Sequence, residues 1–382
     1  MDSQKVRILL VEDDPDDVWV MRSLLGDRWD GPFELAHVEL LSFALRRCSE
    51  ELFDVILLDL ALPDSQGLGS FITMHAHAGG VPIVVLSGYD DEMTAIKAVQ
   101  AGAEDYLVKG QVNDNLLVRS IRYAIERGRR NRAEEALRDT SEEVRAAQEI
   151  QQRLFPAEAP MIDGFDIAGA LYPAKATAGD YFDYIPMDDE CIGLAVGDVS
   201  GHGIGPALLM SETRACLRVL AQSFSDVGDI LTRANRMLAA DTGDFHYVTL
   251  AMARLDPRAQ SLVYASCGQR GYLLDTDHQV TTLDSTSLPL GVEQEVVVPS
   301  SPVMELKPGQ IVTFFTDGVF EAESPGRVRF GAERALKVID SQRDQPARAI
   351  VDALYQEIAG FTGHRPQRDD ITVVVLKVDA TG

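Results

Sequence analysis

The sequence predicts two globular domains of different fold class joined by a helical linker. Within residues 1–125, short apolar runs alternate with amphipathic segments, which is typical of an α/β doubly wound domain with a parallel five-stranded sheet. Residues 157–382 contain many strand-like runs with grouped helices, which favours an α+β β-sandwich flanked by helices. Residues 126–156 between them are rich in glutamate, arginine, alanine and glutamine, as in a long exposed helix. A chain of 382 residues gives each domain room for its own core.

Composition and charge exclude several classes of function. The chain carries 60 acidic against 35 basic residues, a net charge of −25, whereas a general nucleic-acid binder needs a basic surface. The four cysteines are scattered without a paired motif, so we expect no disulfides and a reducing compartment. No stretch reaches the roughly 20 apolar residues of a membrane-spanning helix. We therefore expect a soluble cytoplasmic protein that binds neither nucleic acid nor membrane.

Five apolar runs predict the sheet of the N-terminal domain. They are residues 6–11, 33–38, 55–58, 83–86 and 106–108. Ligands of doubly wound sheets bind beyond the carboxyl ends of the strands. The polar residues found at those ends are Glu12, Asp13, Asp59, Ser87 and Lys109. The three carboxylates can hold one Mg²⁺, and Asp59 can also accept a phosphoryl group whose oxygens would contact Lys109 and Ser87.

The sequence around these residues resembles the receiver domain of two-component signalling. It reads Leu-Leu-Val-Glu-Asp-Asp, Leu-Leu-Asp-Leu-Ala-Leu-Pro-Asp-Ser-Gln-Gly, Val-Leu-Ser-Gly and Asp-Tyr-Leu-Val-Lys, in the order and at the spacing of that family. The resemblance implies that Asp59 is the phosphoacceptor and that a sensor histidine kinase or phosphotransfer protein is the partner. It implies a Mg²⁺ site formed by Glu12, Asp13, Asp59 and the main-chain carbonyl of Ala61.

The resemblance also implies a switch that responds to phosphorylation. Its residues would be Ser87, Tyr106 and Lys109, with Tyr106 as the aromatic side chain that packs inward. One departure is Gly110, which stands where many receivers have proline after the lysine. Because a cis peptide bond without proline costs about 2.5–4 kcal/mol, the geometry of this loop is expected to differ from that of the family.

The linker is predicted to be helical because residues 131–154 contain no glycine or proline. Its apolar residues recur mostly at intervals of three, four or seven, which is typical of a helix seam. The pattern includes Leu117, Ile121, Ala124, Leu137, Val144, Ala147, Ile150 and Leu154. A parallel two-stranded coiled coil across a homodimer is our preferred interpretation, and an amphipathic helix folded back onto one of the domains is the alternative. Pro156 ends the helix.

The C-terminal domain shows strand-like and helical runs along its whole length. The later strand candidates are residues 247–254, 261–265, 311–316 and 371–378. The helix candidates are residues 205–221, 227–240, 332–340 and 346–359.

Four aspartates of this domain lie in patterns that suit metal ligation. They are Asp180 in Ala-Gly-Asp-Tyr-Phe-Asp, Asp198 in Gly-Asp-Val-Ser-Gly-His-Gly, Asp317 in Thr-Asp-Gly and Asp369 in Arg-Asp-Asp-Ile-Thr. Three of them adjoin apolar runs, so they can converge at one rim of a sheet. Converging carboxylates repel one another unless a hard divalent cation neutralises them, which predicts a binuclear Mg²⁺ or Mn²⁺ site and phosphoryl chemistry.

Together with Glu-Ile-Gln-Gln-Arg-Leu-Phe-Pro at the end of the linker, these motifs resemble the metal-dependent serine/threonine protein phosphatases. The resemblance covers residues 149–378 and is to the bacterial branch that regulates sporulation and stress sigma factors. It implies two Mg²⁺ or Mn²⁺ ions and hydrolysis of phosphoserine or phosphothreonine. The residues implied as catalytic and metal-binding are Asp180, Asp198, Asp317, Asp369 and, through its main-chain carbonyl, Val199. Asp198 would bridge the two ions.

Four neighbouring residues extend or depart from this pattern. Asp183 is a candidate helper of Asp180, and Asp370 ranks behind Asp369 because the larger family often has asparagine there. His202 is either a general acid or a residue that caps or packs the glycine-rich turn. Ala178 stands where a second glycine usually precedes Gly-Asp, and its methyl group would crowd the metal loop.

Three hypotheses follow for function. The preferred one is a response regulator that dephosphorylates a regulatory protein, such as an anti-sigma-factor antagonist, under the control of phosphorylation at Asp59. The alternative is a non-enzymatic adaptor that binds a sigma-factor regulator through a phosphatase-like domain. An adaptor is free to lose the four aspartates, and this chain retains all of them. A DNA-binding regulator is disfavoured because the C-terminal half shows no basic effector region.

Overall fold

The computed structural model describes residues 5–88, 92–241 and 246–379, which pack as two compact units, Met1–Thr140 and Ser141–Gly382. The division falls inside the predicted linker. In chain order, the elements of the first unit are β1 (Val6–Val11), α1 (Pro15–Arg28), β2 (Phe33–Val38), α2 (Leu41–Glu50), β3 (Val55–Asp59), β4 (Ala61–Leu62), β5 (Ser65–Gln66), α3 (Leu68–His77), β6 (Ile83–Ser87), α4 (Glu92–Gln100), β7 (Asp105–Val108) and the first part of α5 (Asp114–Gln152).

The first unit is the predicted doubly wound domain. Its parallel sheet has the order β2-β1-β3-β6-β7, and β4 pairs with β5 in a small hairpin. Both faces of the sheet are covered, as a parallel sheet requires. Along β1, for example, Leu9 and Val11 belong to one apolar cluster, whereas Ile8 and Leu10 belong to the cluster on the other face. β3 and β6 each extend one residue beyond the prediction, to Asp59 and Ser87.

The linker prediction is confirmed as a helix, since α5 runs for 39 residues. Near its beginning Leu117 and Ile121 are buried in the core of the first unit. Later on, Val144 is half-buried and Ile150 is 64% exposed. The coiled coil stays a prediction. Among the described residues, none of the helices combines the length and the apolar character that crossing a membrane requires.

The second unit contains two antiparallel sheets and five helices after α5, counted over the described residues. Its elements are β8 (Phe165–Tyr172), β9 (Tyr181–Pro186), β10 (Ile192–Val199), α6 (Ile204–Leu220), α7 (Val227–Asp241), β11 (Val248–Asp256), β12 (Ser261–Cys267), β13 (Gly271–Leu274), β14 (Val280–Leu283), β15 (Met304–Glu305), β16 (Ile311–Phe315), α8 (Asp317–Glu321), α9 (Ala332–Ser341), α10 (Ala347–Phe361) and β17 (Ile371–Val378). The four predicted helices agree with α6, α7, α9 and α10 to within two residues at each end. The sequence did not predict α8.

This unit is a four-layer sandwich. One sheet has the order β15-β12-β11-β10-β9 and the other has the order β14-β13-β16-β17-β8. Alternate residues of each strand face opposite layers. Leu194 and Val196 of β10 point into the core between the sheets, whereas Ala195 packs with α6 and α7. On the other side, α9 and α10 pack on the sheet through residues such as Ile339 and Leu354. The predicted α+β sandwich flanked by helices is confirmed.

Candidate phosphorylation and metal sites

The predicted acids of the first unit meet at the carboxyl end of its sheet. Glu12 and Asp13 follow β1, and Asp59 is the last residue of β3, which pairs with β1 in parallel. Ligand oxygens of these three residues all lie within 4.8 Å of one another. The helix α1 begins directly after these residues. The Asp14 side chain caps its N-terminus by accepting a 2.8 Å hydrogen bond from the Asp16 N–H. Three converging carboxylates form a donor set that suits Mg²⁺.

Lys109 lies at the centre of this acidic cluster. Its Nζ lies 2.8 Å from Asp59 Oδ2, 2.7 Å from Glu12 Oε2 and 2.9 Å from Asp17 Oδ2. Burial raises the pKa of Glu12 to about 7, with Asp59 adding to the rise and Lys109 opposing it. The sequence interpretation missed Asp17, which lies one helical turn into α1 and could have been found from its spacing to Asp13.

The predicted switch residues lie around the same site. Ser87 ends β6, and its buried hydroxyl has no hydrogen-bond partner among the described residues. A buried orphan donor beside a phosphoacceptor suits a bond to a phosphoryl oxygen. Tyr106 is half-buried against the apolar cluster of the sheet. Ala61 forms part of β4, two residues beyond Asp59, and its N–H donates to Asp59 Oδ1 at 3.2 Å.

The loop after Lys109 follows a different path from a cis-proline turn. No cis peptide bond occurs among the described residues, and residues Lys109–Gln111 form one turn of 3-10 helix. The expected change at Gly110 therefore concerns the loop alone, because Lys109 still reaches Asp59.

The four aspartates of the second unit meet at one rim of the sandwich. Asp180 precedes β9 and Asp198 is near the end of β10, and these strands are antiparallel neighbours with Gly197 opposite Tyr181. Asp317 follows β16 and Asp369 precedes β17, which are neighbours in the other sheet with Phe315 opposite Val373. We call this group of four carboxylates the metal rim. Asp180 is buried, Asp198 and Asp317 are half-buried, and Asp369 is exposed.

The pKa values of the rim carboxyl groups show that they influence one another. Burial raises the pKa of Asp180 well above its usual range, and Asp198 adds to this rise. Burial also raises the pKa of Asp198 to about 7, with further contributions from Asp317 and Asp369. Burial and Asp369 raise the pKa of Asp317, and burial raises the pKa of Asp369. Asp198 is therefore close enough to the other three carboxylates to repel them when ionised, and Asp317 and Asp369 are close enough to repel each other.

The donor set of the rim fits divalent cations. Asp317 Oδ1 is buried without a hydrogen-bond partner among the described residues, although such an atom normally has one. All the side-chain donors are oxygens, which Mg²⁺ and Mn²⁺ prefer. The rim is wider than the cluster of Glu12, Asp13 and Asp59, whose ligand oxygens all lie within 4.8 Å of one another. Among the described residues, no three rim aspartates bring their oxygens that close together. Ligands shared between two ions suit this wider spacing. Val199 ends β10 next to Asp198, where its carbonyl faces Gly179.

Two threonines that the sequence interpretation missed hold Asp180 in place. Thr316 Oγ1 and Thr372 Oγ1 donate to Asp180 Oδ2 at 2.7 and 2.5 Å. Each threonine lies inside a motif already recognised for its aspartate, Thr-Asp-Gly and Asp-Asp-Ile-Thr. Those motifs therefore supply both a rim carboxylate and a hydroxyl that orients a second one.

Asp370 supports the rim through the backbone. Its carboxylate accepts hydrogen bonds from the N–H groups of Ala174 at 2.7 Å and Gly179 at 2.8 Å, with Asp180 N–H at 3.4 Å. This arrangement fixes the loop that carries Asp180. An amide oxygen can accept similar bonds, so the function of Asp370 here does not require its charge.

Glycine is required at position 318 because the backbone of β17 approaches it closely. A Cβ atom there would lie 1.8 Å from the Asp370 carbonyl oxygen, far inside van der Waals contact. Asp317 and Asp370 are brought together by this contact between α8 and the start of β17.

The interpretation of Asp183 as a metal-site helper is wrong. The side chain is buried and forms a bidentate ion pair with Arg218 of α6, with both N–O distances at 2.6 Å. Tyr181 Oη donates a further bond at 2.9 Å. Because successive side chains of a strand alternate between its faces, Asp183 points with Tyr181 toward the helices. Its charge is already compensated there.

His202 and Ala178 occupy the loops around the rim. His202 Nδ1 lies 2.9 Å from Lys175 Nζ, and its ring influences the pKa of Asp369, which leaves both suggested roles open. Ala178 is buried without crowding the loop. Gln151 of α5 holds its backbone, accepting from the Ala178 N–H at 2.9 Å and donating to its carbonyl at 2.7 Å. The sequence interpretation missed Gln151, a polar residue among the apolar positions at the end of the helix.

Comparison with known proteins agrees with the description of both units. Residues 8–122 match the response regulator receiver domain, and residues 188–379, half of the chain, match stage II sporulation protein E. Protein IcfG of Synechocystis sp. is 25% identical over 267 residues, which are 61% of this chain and 41% of that protein. Phosphoserine phosphatase RsbU of Bacillus subtilis is 26% identical over 239 residues, or 62% of this chain and 70% of that protein.

Two solved structures share the fold of the second unit. The SiaA-PP2C domain of Pseudomonas aeruginosa superposes with a TM-score of 0.57 at 22% identity, covering 64% of this chain and 99% of that one. The PP2C phosphatase domain of SpoIIE from Bacillus subtilis, with a fragment of its regulatory domain, gives a TM-score of 0.50 at 22% identity, covering 57% and 64%. The chain thus belongs to the stage II sporulation protein E family and carries a receiver domain ahead of a PP2C-type phosphatase domain.

Proposed function

We propose that this protein is a response regulator whose output is metal-dependent dephosphorylation of phosphoserine or phosphothreonine on a regulatory protein, controlled by phosphorylation at Asp59. One observation carries the proposal. Four aspartates that are distant in sequence meet at one rim, where burial raises the pKa values of all four and other rim carboxylates add to the rise for Asp180, Asp198 and Asp317. Such a group is costly for the fold unless cations neutralise it, and an energetic cost of this kind is common at functional sites.

The rim residues would each contribute to holding cations and substrate. Asp198, Asp317 and Asp369 offer oxygens toward the solvent side of the rim, and the Val199 carbonyl lies beside Asp198. Asp180 is oriented by two hydroxyl groups and anchors the buried side. Two divalent cations bound there would supply activation of water and neutralisation of charge on a phosphoester. The arrangement of carboxylates needs no covalent nucleophile from the protein.

The input would enter at Asp59. The cluster around Lys109 and the orphan hydroxyl of Ser87 suit an acyl phosphate formed with Mg²⁺ bound to Glu12 and Asp13. The partner would be a sensor histidine kinase or phosphotransfer protein. The helix α5 contributes Leu117 and Ile121 to the core of the receiver unit, and its Gln151 holds the loop before Asp180. We propose that this helix carries the signal.

The remaining expectations concern substrate and assembly. RsbU is named a phosphoserine phosphatase, which supports a phosphorylated protein as the substrate. An anti-sigma-factor antagonist remains our specific candidate.

We further propose a cytoplasmic homodimer with a coiled coil formed by α5, whose Ile150 is exposed within the single chain. The adaptor alternative gains no support, because the four aspartates are retained in a geometry that suits cations.

Release of phosphate tests the proposal. The full chain is incubated with a phosphoserine peptide and either Mn²⁺ or EDTA, and phosphate is measured. We expect turnover that requires Mn²⁺ and falls by at least about 100-fold in Asp198→Asn, since such electrostatic contributions are worth this much. Asp344→Asn, an exposed aspartate of the same unit, is the matched control and should retain activity. Equal turnover in Asp198→Asn and in the wild type would exclude the rim as the active site.

A further inference from the structure

A large cavity opens from the Asp369 side of the metal rim. It has a volume of about 770 Å³, and Gly318 and Asp369 line the part of it at the rim. Two short segments provide walls, the turn at residues 323–329 after α8 and the segment at residues 362–368 after α10. The whole cavity lies within the second unit. A substrate segment that continues beyond a phosphoester held at the rim would enter this space.

The charges along the cavity are unbalanced in favour of arginine. Arg329 is paired with Glu321 at 2.9 Å and Arg368 is paired with Glu323 at 2.6 Å, so those two acids are neutralised. Arg327 and Arg365 also line the cavity, are exposed, and have no ion-pair partner within the described parts of the chain. In a protein with a net charge of −25, two free arginines beside the rim form a local attraction for anions.

The turn that carries Arg327 has a defined backbone conformation. It is closed by a bridge between Glu323 and Arg329, and by a 2.9 Å hydrogen bond from the Ser324 N–H to the Val328 carbonyl. Arg327 has φ 62° and His364 has φ 55°, a left-handed conformation that non-glycine residues adopt at a cost. Strained residues of this kind concentrate at ligand-binding sites, and both line the same cavity.

We propose that this cavity, which we call the arginine groove, binds acidic residues flanking the phosphorylated serine or threonine of the substrate protein. Arg327 and Arg365 would be the residues that determine this specificity. The rim would hold the phosphoester through bound cations, and the two arginines would select the sequence around it by charge complementarity. The inference rests on the proposed phosphatase function and adds to it the chemistry of the preferred substrate: an acidic segment at the phosphorylation site.

The test compares two phosphoserine peptides on the full chain with Mn²⁺. One carries three glutamates on each side of the phosphoserine, and the other carries glutamines there. We expect the wild type to prefer the acidic peptide through a lower KM, and this preference to shrink at high salt as exposed charges are screened. Arg327→Gln and Arg365→Gln should each raise the KM for the acidic peptide about two- to fivefold with kcat retained, which is the range for exposed ion pairs.

The double variant should abolish the preference, so that the ratio of the kcat/KM values for the acidic and neutral peptides approaches one. Arg236→Gln is the matched control, because Arg236 is an exposed arginine of α7 outside the groove, and it should leave the ratio unchanged. A double variant that keeps the wild-type ratio would overturn the proposal, and so would a wild type that does not distinguish the peptides.

A binding arm separates failure of the groove from failure of the phosphatase. Fluorescein-labelled acidic phosphopeptide is titrated with Asp198→Asn chain, with and without the two arginine substitutions, and anisotropy is measured. If the wild type releases phosphate from neither peptide, the phosphatase proposal fails, and this arm still tests the groove. Weaker binding in the arginine variant supports an anion-binding groove, whereas equal binding overturns it.

Discussion

Each rim aspartate has its own surroundings, and these determine what a substitution should do. Asp180 is buried and fixed by two threonine hydroxyls, so its replacement removes both a ligand and the partner of two buried donors. Asp317 has one buried oxygen, Oδ1, without a hydrogen-bond partner among the described residues, so its replacement removes an oxygen that is free to bind a cation. At the residue scale, a side chain that offers an oxygen to a cation therefore has different surroundings from a side chain that only orients such an oxygen.

Gly318→Ala should disrupt the rim because its Cβ would lie 1.8 Å from a backbone oxygen of Asp370 that cannot move freely. We expect a loss of at least about 1–3 kcal/mol from the free energy of unfolding of the C-terminal unit, as for other overpacked sites. Differential scanning calorimetry of the full chain measures this. Gly205→Ala is the control, since a Cβ at that exposed position in α6 meets nothing within 4 Å, and it should change stability by less than about 0.5 kcal/mol. Equal melting of both variants would contradict the close approach seen here.

Asp370→Ala should weaken the rim without removing a metal ligand. It leaves the N–H groups of Ala174 and Gly179 without their acceptor, which costs about 1–3 kcal/mol for a buried group. Asp370→Asn keeps an accepting oxygen and should be affected less. The measurement is the Mn²⁺ concentration for half-maximal phosphate release, which we expect to rise more in the alanine variant than in the asparagine variant. Identical losses in the two variants would instead indicate that the charge of Asp370 is what matters.

The sequence predicts the rim carboxylates but only part of their support. Each aspartate lies in a short motif, and for three of them an adjoining apolar run is enough to place the aspartate at a strand end. The partners of Asp180 lie 136 and 192 residues away, so their contact depends on tertiary packing. The same limit explains the wrong interpretation of Asp183, whose partner Arg218 belongs to α6. Gln151 was missed for a similar reason, because its partner Ala178 lies 27 residues away.

At the scale of elements, the strands were predictable because their apolar runs are uninterrupted. β3 and β6 are buried along their whole length, and β17 is buried at nearly every position. The short helix α8 was not predictable, since its five residues follow directly from a strand and carry no helical periodicity. In the proposed regulation α5 is the element with most bearing, because its Gln151 contacts the loop that precedes Asp180.

Gln151→Leu should uncouple α5 from the metal rim. The change leaves the N–H and carbonyl of Ala178 without their side-chain partners in a buried place, so the loop to Asp180 should become less well ordered. We expect a higher Mn²⁺ requirement and a smaller response to receiver phosphorylation, both measured by phosphate release. Gln152→Leu is the control, since Gln152 is exposed in the same helical turn. A Gln151 variant that behaves as the wild type would exclude this contact from the regulatory route.

At the scale of the whole molecule, one chain carries two acidic sites of different type. The receiver site is compact, with a lysine among its three carboxylates. The metal rim is wider, and among the described residues no lysine forms an ion pair with its four aspartates. The first suits a single ion and an acyl phosphate, and the second suits two ions and a water-dependent reaction. This difference is the physical basis for assigning input to one unit and output to the other.

Treatment with a small phosphodonor such as acetyl phosphate should change the rate of phosphate release from a phosphoserine peptide. The change should be absent in Asp59→Asn, which cannot form the acyl phosphate, and reduced in Ser87→Ala, which lacks the buried hydroxyl. Ser49→Ala, an exposed serine of α2, serves as the control. A phosphodonor effect that persists in Asp59→Asn would show that the control does not pass through the receiver site.

The most direct measurement of the central claim is an anomalous difference map from crystals of the full chain grown with Mn²⁺, collected at the manganese edge. We expect two peaks at the metal rim, both at coordination distance from Asp198 oxygens, with Asp317 and Asp369 among the other ligands. The absence of any peak at the rim, in a crystal that shows Mn²⁺ at Glu12, Asp13 and Asp59, would contradict the central claim.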